Sequence, residues 1–204
     1  MGNINKYINQ KLWYHGTTLY EWDSIKRKGV IFDYNKGNEL DFGYGFYLTP
    51  EYDQAEYYII NLLKFIDRFG MDENDRIPVI IEFEFSLIEY CANPDYKFGV
   101  YNAYDNAFAQ FVFHNRVNNV NGEAQHAYDI IFGVMSDSKP TILIQKYKNG
   151  DIEKNIVLEE LKKSTRNKQL SLHNQKLCDI IVPKRGILLE TGKELSINGY
   201  NASH

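Results

Sequence analysis

Strand-like and helix-like stretches follow one another along this chain in no regular order, and that irregularity does most to limit its fold. The clearest strand spans residues 77–85, where Val79, Ile80, Ile81, Phe83 and Phe85 supply side chains that fit a pleated surface. Shorter strands are predicted at residues 12–15, 45–49, 128–135, 168–173, 179–182 and 186–189. Helical spacing marks residues 19–27, 50–68 and 108–120, and two helices within 140–160 broken near Asn149 and Gly150. A doubly wound parallel sheet needs strict strand–helix alternation, so the class is α+β. A dinucleotide-binding Rossmann unit would also carry a glycine fingerprint between its first strand and helix. Here Gly43-Tyr44-Gly45 precedes a strand instead, and that architecture is excluded.

With 204 residues and 44% hydrophobic content, the chain supports one sizeable core. We expect a single domain over residues 1–204, with a core of about 12–190 and a flexible tail at 192–204. A net charge of −4 gives no basic surplus of the kind a dedicated polyanion binder shows. The polar first 11 residues and the absence of any apolar run near ~18 residues predict a cytoplasmic protein with no membrane partner. Cys91 and Cys178 stand far apart in apolar surroundings, which predicts two buried reduced thiols. No metal-ligand spacing is visible, so no metal is expected. Sixteen Tyr against two Trp suits half-buried strands with wet hydroxyls, or the walls of a pocket for a flat ligand.

Three stretches carry candidate chemistry. They are Tyr14-His15-Gly16-Thr17, Phe42-Gly43-Tyr44-Gly45-Phe46-Tyr47-Leu48-Thr49, and Asn167-Lys168-Gln169-Leu170-Ser171-Leu172. Alone, each has a plain structural meaning. A His-Gly pair ends a strand in a turn, two glycines around a tyrosine make a bend, and a strand bearing Gln and Ser has a solvated face. In this order, and with Gln54-Ala55-Glu56-Tyr57 after the second, they resemble the His-Tyr-Glu group of ADP-ribosyltransferases, which includes the poly(ADP-ribose) polymerases. Together with Leu40-Asp41 and Tyr128-Asp129-Ile130-Ile131-Phe132-Gly133, the pattern is most similar to the bacterial domain of unknown function 3990 family. The resemblance covers roughly residues 12–183.

That resemblance implies an ADP-ribosyltransferase-like split β-sandwich, two small antiparallel sheets with flanking helices that hold NAD⁺ in the gap. It implies that His15 hydrogen-bonds the adenosine ribose and that Gly16 presents backbone N–H and C=O to the nicotinamide amide. Tyr47 would stack on the nicotinamide ring, and Tyr57 or Tyr58 would close its other face. A flat cation between two electron-rich faces is physically sound. Thr17 would contact a ribose or support the turn. Asp41 would orient the loop or stand as an exposed acid.

The third stretch departs from the polymerases, where a glutamate opens the strand; the matching position here is Gln169. An amide can hold a ribose hydroxyl but brings no charge to an oxocarbenium-like transition state and is no general base. Glu123 and Glu190 are the alternative acids. Asp129 and Asp137 suit strand-end caps, while His114 and Arg116 lie on a helix, Arg116 suiting a salt bridge to a surface acid or a pyrophosphate. The implied activity is mono-ADP-ribosyl transfer from NAD⁺ to a macromolecular acceptor, protein or nucleic acid. The alternatives are a catalytically weakened NAD⁺-binding module and an NAD⁺ glycohydrolase. Proteins of this kind are often toxins or defence factors, which implies a neutralising, antitoxin-like partner.

Overall fold

The computed structural model describes residues 5–66, 76–118, 126–136, 139–163 and 167–198. The first half carries α1 (Asn5–Ile8), β1 (Leu12–Thr18), α2 (Leu19–Lys28), β2 (Phe46–Leu48), α3 (Tyr52–Ile66), β3 (Pro78–Glu84), α4 (Leu87–Cys91) and β4 (Phe98–Tyr101). The second carries α5 (Asn106–Asn118), β5 (Ile130–Val134), α6 (Pro140–Lys148), α7 (Lys154–Leu161), β6 (Lys168–Leu172), α8 (Gln175–Ile180), β7 (Val182–Leu188) and β8 (Glu194–Leu195). The class is α+β, as the irregular order of elements requires. Two compact units are present. One comprises Lys6–Ile31, Tyr47–Glu89 and Gln175–His204; the other comprises Met1–Asn5, Phe32–Phe46 and Tyr90–Asn174.

The first unit is built on an antiparallel sheet in the order β1-β3-β7-β8. Its strand β3, between β1 and β7, is buried almost throughout, with Val79, Ile80, Ile81 and Phe83 fully enclosed, in keeping with its apolar content. The sheet has a helix on each face. On one, a Cβ added to Gly16 would lie 2.3 Å from the Ala55 carbonyl oxygen and 3.2 Å from Ile59 Cβ, so α3 lies directly on that glycine. On the other, a Cβ at Gly186 would meet the Trp22 ring of α2 at 3.2 Å. His15, Ile81 and Gly186 stand opposite one another across the three strands, so the His15 side chain shares the α2 face.

The second unit corrects the expectation of two antiparallel sheets. Its sheet, in which β6, β5 and β4 are neighbours in that order, is mixed, because β4 runs parallel to β5 while β5 runs antiparallel to β6. The parallel pair follows from the crossover between β4 and β5 that contains α5. The short strand β4 escaped sequence reading because four residues show too little periodicity. Helices α5, α6 and α7 pack on one another and bury Phe108, Val112, Ile144, Val157 and Leu161.

Three local expectations also change. The chain does not turn at Gly16-Thr17. Strand β1 continues to Thr18, which caps α2 by accepting the Glu21 N–H at 3.4 Å. Residues 179–182 are not a strand. Leu177, Cys178 and Ile181 are buried at helical spacing, so α8 occupies this stretch until β7 begins at Val182. The segment read as an unstructured tail holds β8, which pairs with Gly186 and Ile187 of β7. Cys178 is buried and Cys91 only half-buried, and neither is in a disulfide. Among the described residues, no helix is long and apolar enough to cross a membrane.

Candidate functional site

The outer edge of β1 carries the first group of candidate residues. Tyr14 and Thr49 exchange both backbone hydrogen bonds, at 2.9 and 2.8 Å, as an isolated antiparallel bridge. Hydrogen-bonded residues alternate along such a pair, so the peptide groups of Gly16 point to the same side as those of Tyr14, away from β3. The residue due opposite Gly16 would be Tyr47, two positions back from Thr49. That second rung is not formed. Instead, the His15 imidazole reaches the Tyr47 carbonyl oxygen at 2.7 Å from Nδ1. The two segments therefore part after one bridge, and Gly16, a buried residue, directs its N–H and C=O away from β3.

This hydrogen bond also assigns the ring. A carbonyl oxygen only accepts, so Nδ1 carries the proton and Nε2 is the acceptor nitrogen. Burial lowers the His15 pKa and outweighs the opposing effect of the Tyr47 hydrogen bond, keeping the imidazole neutral. Thr17 lies two residues on, on the same strand face as His15, and is buried. His15, Gly16, Thr17 and Tyr47 are thus brought together.

Helix geometry separates the two tyrosine candidates on α3. Ala55 and Ile59 form its buried stripe against β1. At about 100° per residue, Tyr57 projects from the opposite side of the helix, while Tyr58 flanks the stripe. Their exposures of 69% and 48% follow that order.

Gln169 sits in the other unit, and its surroundings are polar and closed. It is only 7% exposed. Its amide nitrogen faces the Asp41 carboxylate at 3.3 Å and the Val134 carbonyl at 3.4 Å. Asp41 is not the exposed loop acid of one expectation; it is 5% exposed. It pairs with Arg116, whose Nε and Nη2 reach its Oδ1 at 2.8 and 2.7 Å, and its Oδ2 accepts the Ser136 N–H at 2.9 Å. Arg116 also donates to the Glu39 carbonyl at 2.6 Å and to Thr141 at 3.3 Å. The salt bridge expected for Arg116 is therefore formed, but to a buried acid and not to the surface acid expected.

The Phe42–Gly45 loop is clamped at successive backbone positions by side chains that sequence reading did not single out. Asn115 donates to the Asp41 carbonyl at 3.1 Å, His126 to the Phe42 carbonyl at 2.7 Å, and His173 to the Tyr44 carbonyl at 2.7 Å. Asn35 makes a reciprocal pair with the N–H and C=O of Gly45, at 3.0 and 2.8 Å. The loop's glycines answer to this geometry. Gly43 has φ +78°, and a Cβ on Gly45 would lie 2.7 Å from the His173 ring. The His173 Nε2 in turn accepts from Ser171 at 2.8 Å. That is the spacing of a nucleophile and its base, but Ser171 is fully buried and serves as an anchor. Burial, together with the neighbouring His126, pushes His173 down to about 3, and burial lowers His126 as well.

The remaining candidates lie apart from these groups. Asp129 caps the sheet edge, accepting from Lys97 N–H and Asn174, each at 2.8 Å. His114 is exposed beside Asn118, and Glu190 is exposed in a turn. Glu123 and Asp137 lie outside the described residues. Burial raises the Cys91 thiol to about 12 and lifts Cys178 too, so neither is an activated thiolate. Among the described residues, no group of three or more His, Cys, Asp or Glu side chains is arranged to hold a metal ion.

The stretch that carries all these motifs, residues 14–182, matches the family described as "Protein of unknown function (DUF3990)". The chain belongs to this family. The match opens at Tyr14 and closes at Val182, so it takes in His15, the clamped loop, Arg116 and Gln169 of this DUF3990 member. Comparison with curated proteins and with solved structures gives no match.

Proposed function

We propose that this chain is an ADP-ribosyltransferase-like enzyme that transfers one ADP-ribose from NAD⁺ to a macromolecular acceptor. The observation that carries this reading is the outer edge of β1, where His15 takes the Tyr47 carbonyl and the bridge between Tyr14 and Thr49 is not followed by a second rung. A carboxamide carries a carbonyl acceptor beside an N–H donor, the complement of a peptide's N–H and C=O, so Gly16 suits the nicotinamide amide. The His15 Nε2 is an acceptor for a ribose hydroxyl. Tyr47 supplies one aromatic face for the nicotinamide cation, and Tyr58 is the better-placed of the two helix tyrosines for the other.

In the transfer, the bond from ribose C1′ to the nicotinamide nitrogen breaks, and nicotinamide leaves with the electron pair. The acceptor atom bonds to C1′ and gives up its proton. Gln169, assigned to the ribose 2′-hydroxyl by the motif resemblance, offers a neutral hydrogen bond rather than a charge. The acceptor must then be acidic or already nucleophilic, and chain elongation is not expected.

One observation favours a second reading. Gln169 is neutral and its nitrogen is committed to Asp41, which suits an NAD⁺-binding module with little catalysis. Incubation with labelled NAD⁺ and cell lysate, with and without nucleases, separates these functions. Label on protein or nucleic acid supports transfer, free ADP-ribose supports glycohydrolysis, and binding without turnover supports the module. No binding at all would overturn the proposal. A cytoplasmic toxin or defence role with a neutralising protein partner belongs to the same proposal.

A further inference from the structure

Gln169 has two buried neighbours on its amide nitrogen, the Asp41 carboxylate and the Val134 carbonyl, and both are pure acceptors. The orientation of the amide is therefore decided by chemistry. Nitrogen must face them, and Oε1 is the end turned elsewhere. Asp41 is itself held rigidly by the Arg116 fork and the Ser136 N–H. These contacts join the loop before β2, helix α5, the end of β5 and strand β6 through one carboxylate.

We propose that Asp41 is the positioning residue for position 169. It fixes the Gln169 amide with its acceptor oxygen presented, and it excludes a carboxylate from that position. A glutamate there would set two carboxylates about 3 Å apart beside a single guanidinium, a geometry in which one of them must take up a proton. The departure from glutamate is thus enforced by a residue 128 positions away. The Oε1 that this arrangement presents accepts from a hydroxyl or N–H donor. Naming that donor as the ribose hydroxyl rests on the function proposed above; the positioning of the amide does not.

Among the described residues, the hydrogen bonds place Asp41 and, through it, Arg116 at position 169, while Glu39 is turned to Lys148 at 2.7 Å and the adjacent Lys168 to Asn102 at 3.2 Å. The test compares the melting temperature of the full chain with those of Gln169→Glu, Gln169→Met, Asp41→Asn and the Asp41→Asn/Gln169→Glu double variant between about pH 5 and pH 8. Gln169→Glu should melt well below wild type at the alkaline end. It should recover most of that loss at the acid end, where a protonated carboxyl can donate to Asp41 as the amide does. Gln169→Met, which cannot titrate, should show a loss that does not vary with pH. In the Asp41→Asn background the added penalty of Gln169→Glu should shrink. If Gln169→Glu melts like wild type at about pH 8, or costs the same in both backgrounds, the proposal is overturned.

A second readout addresses the presented oxygen. Asp41→Asn offers a donor to the amide and lets it flip, so NAD⁺ turnover should fall about tenfold or more in kcat, with a smaller change in KM. Unchanged kcat in a folded Asp41→Asn variant would overturn the positioning role. A wild type that neither binds nor turns over NAD⁺ would instead overturn the proposed function, while the melting series still decides the contact.

Discussion

The His15 imidazole donates to the Tyr47 carbonyl oxygen at 2.7 Å, where a continuing strand pair would have used the Gly16 N–H. One side chain thereby takes the acceptor that a backbone rung would have used.

That relationship separates the tyrosine ring from its backbone. Tyr47→Ala keeps the carbonyl that holds His15 and removes only the aromatic face. NAD⁺ should raise the melting temperature of the wild type, because a ligand specific to the native state stabilises it, and nicotinamide should do so more weakly. Tyr47→Ala should fold cooperatively yet lose this response. His15→Ala should lose the response and also about 1 kcal/mol of stability, through the hydrogen bond to Tyr47. A full NAD⁺ shift in either variant, measured by thermal denaturation, would remove that residue from the site.

Gly16→Ala should be among the most damaging small substitutions in the chain. Its new methyl group meets the Ala55 backbone carbonyl at 2.3 Å, and backbone cannot swing aside as a flexible side chain does. Overpacking of this kind costs about 1–3 kcal/mol or more. Gly37→Ala is the control. That glycine has φ +91° and nothing within 4 Å of the added atom, so only backbone strain of about 1–2 kcal/mol applies. Urea midpoints at unchanged slope should rank the two in this order.

Acid should loosen the structure before its carboxylates titrate. Burial lowers the pKa of His15, His126 and His173, the last to about 3 against an ordinary 6.5. In the range below 6.5 the unfolded chain binds protons that the folded chain refuses. Stability should therefore be full above about pH 7 and fall as pH drops toward the folded-state values. His173→Gln, which can still donate to the Tyr44 carbonyl but does not titrate, should flatten this slope. Unfolding free energies that do not change between about pH 7 and pH 5 would contradict the buried neutral assignment.

The Asp41 hub makes two opposite predictions. Arg116→Ala strands a buried carboxylate and should cost about 3–5 kcal/mol. Ser136→Ala should be close to neutral, within about 0.5 kcal/mol, since the buried Ser136 hydroxyl has no hydrogen-bond partner among the described residues and only its N–H serves Asp41. Chemical denaturation of both variants checks this. A large loss in Ser136→Ala would show that the hydroxyl holds a polar partner.

Membership of the DUF3990 family was legible in the order of short motifs, because His15, the Phe42–Thr49 stretch and the strand at residues 168–172 lie close to their expected elements. Apolar periodicity located β3 and helices α2, α3, α5, α6 and α7 for the same reason: it records which side of each local element is buried. Periodicity does not record which distant element does the burying. That is why Asp41 read as an exposed acid. Its partners Arg116 and Gln169 lie 75 and 128 positions away. The two glycine motifs show the same division. The bend at Gly43-Tyr44-Gly45 was legible, but only the packed chain supplied the His173 ring as the obstacle at Gly45 and the Ala55 carbonyl as the obstacle at Gly16. Likewise the sequence offered Tyr57 and Tyr58 as equals, and the turn of α3 on β1 set them apart. Local chemistry chose the residue types, while the identity of each neighbour, and so each residue's charge state and orientation, was decided by tertiary contacts that no local pattern carries.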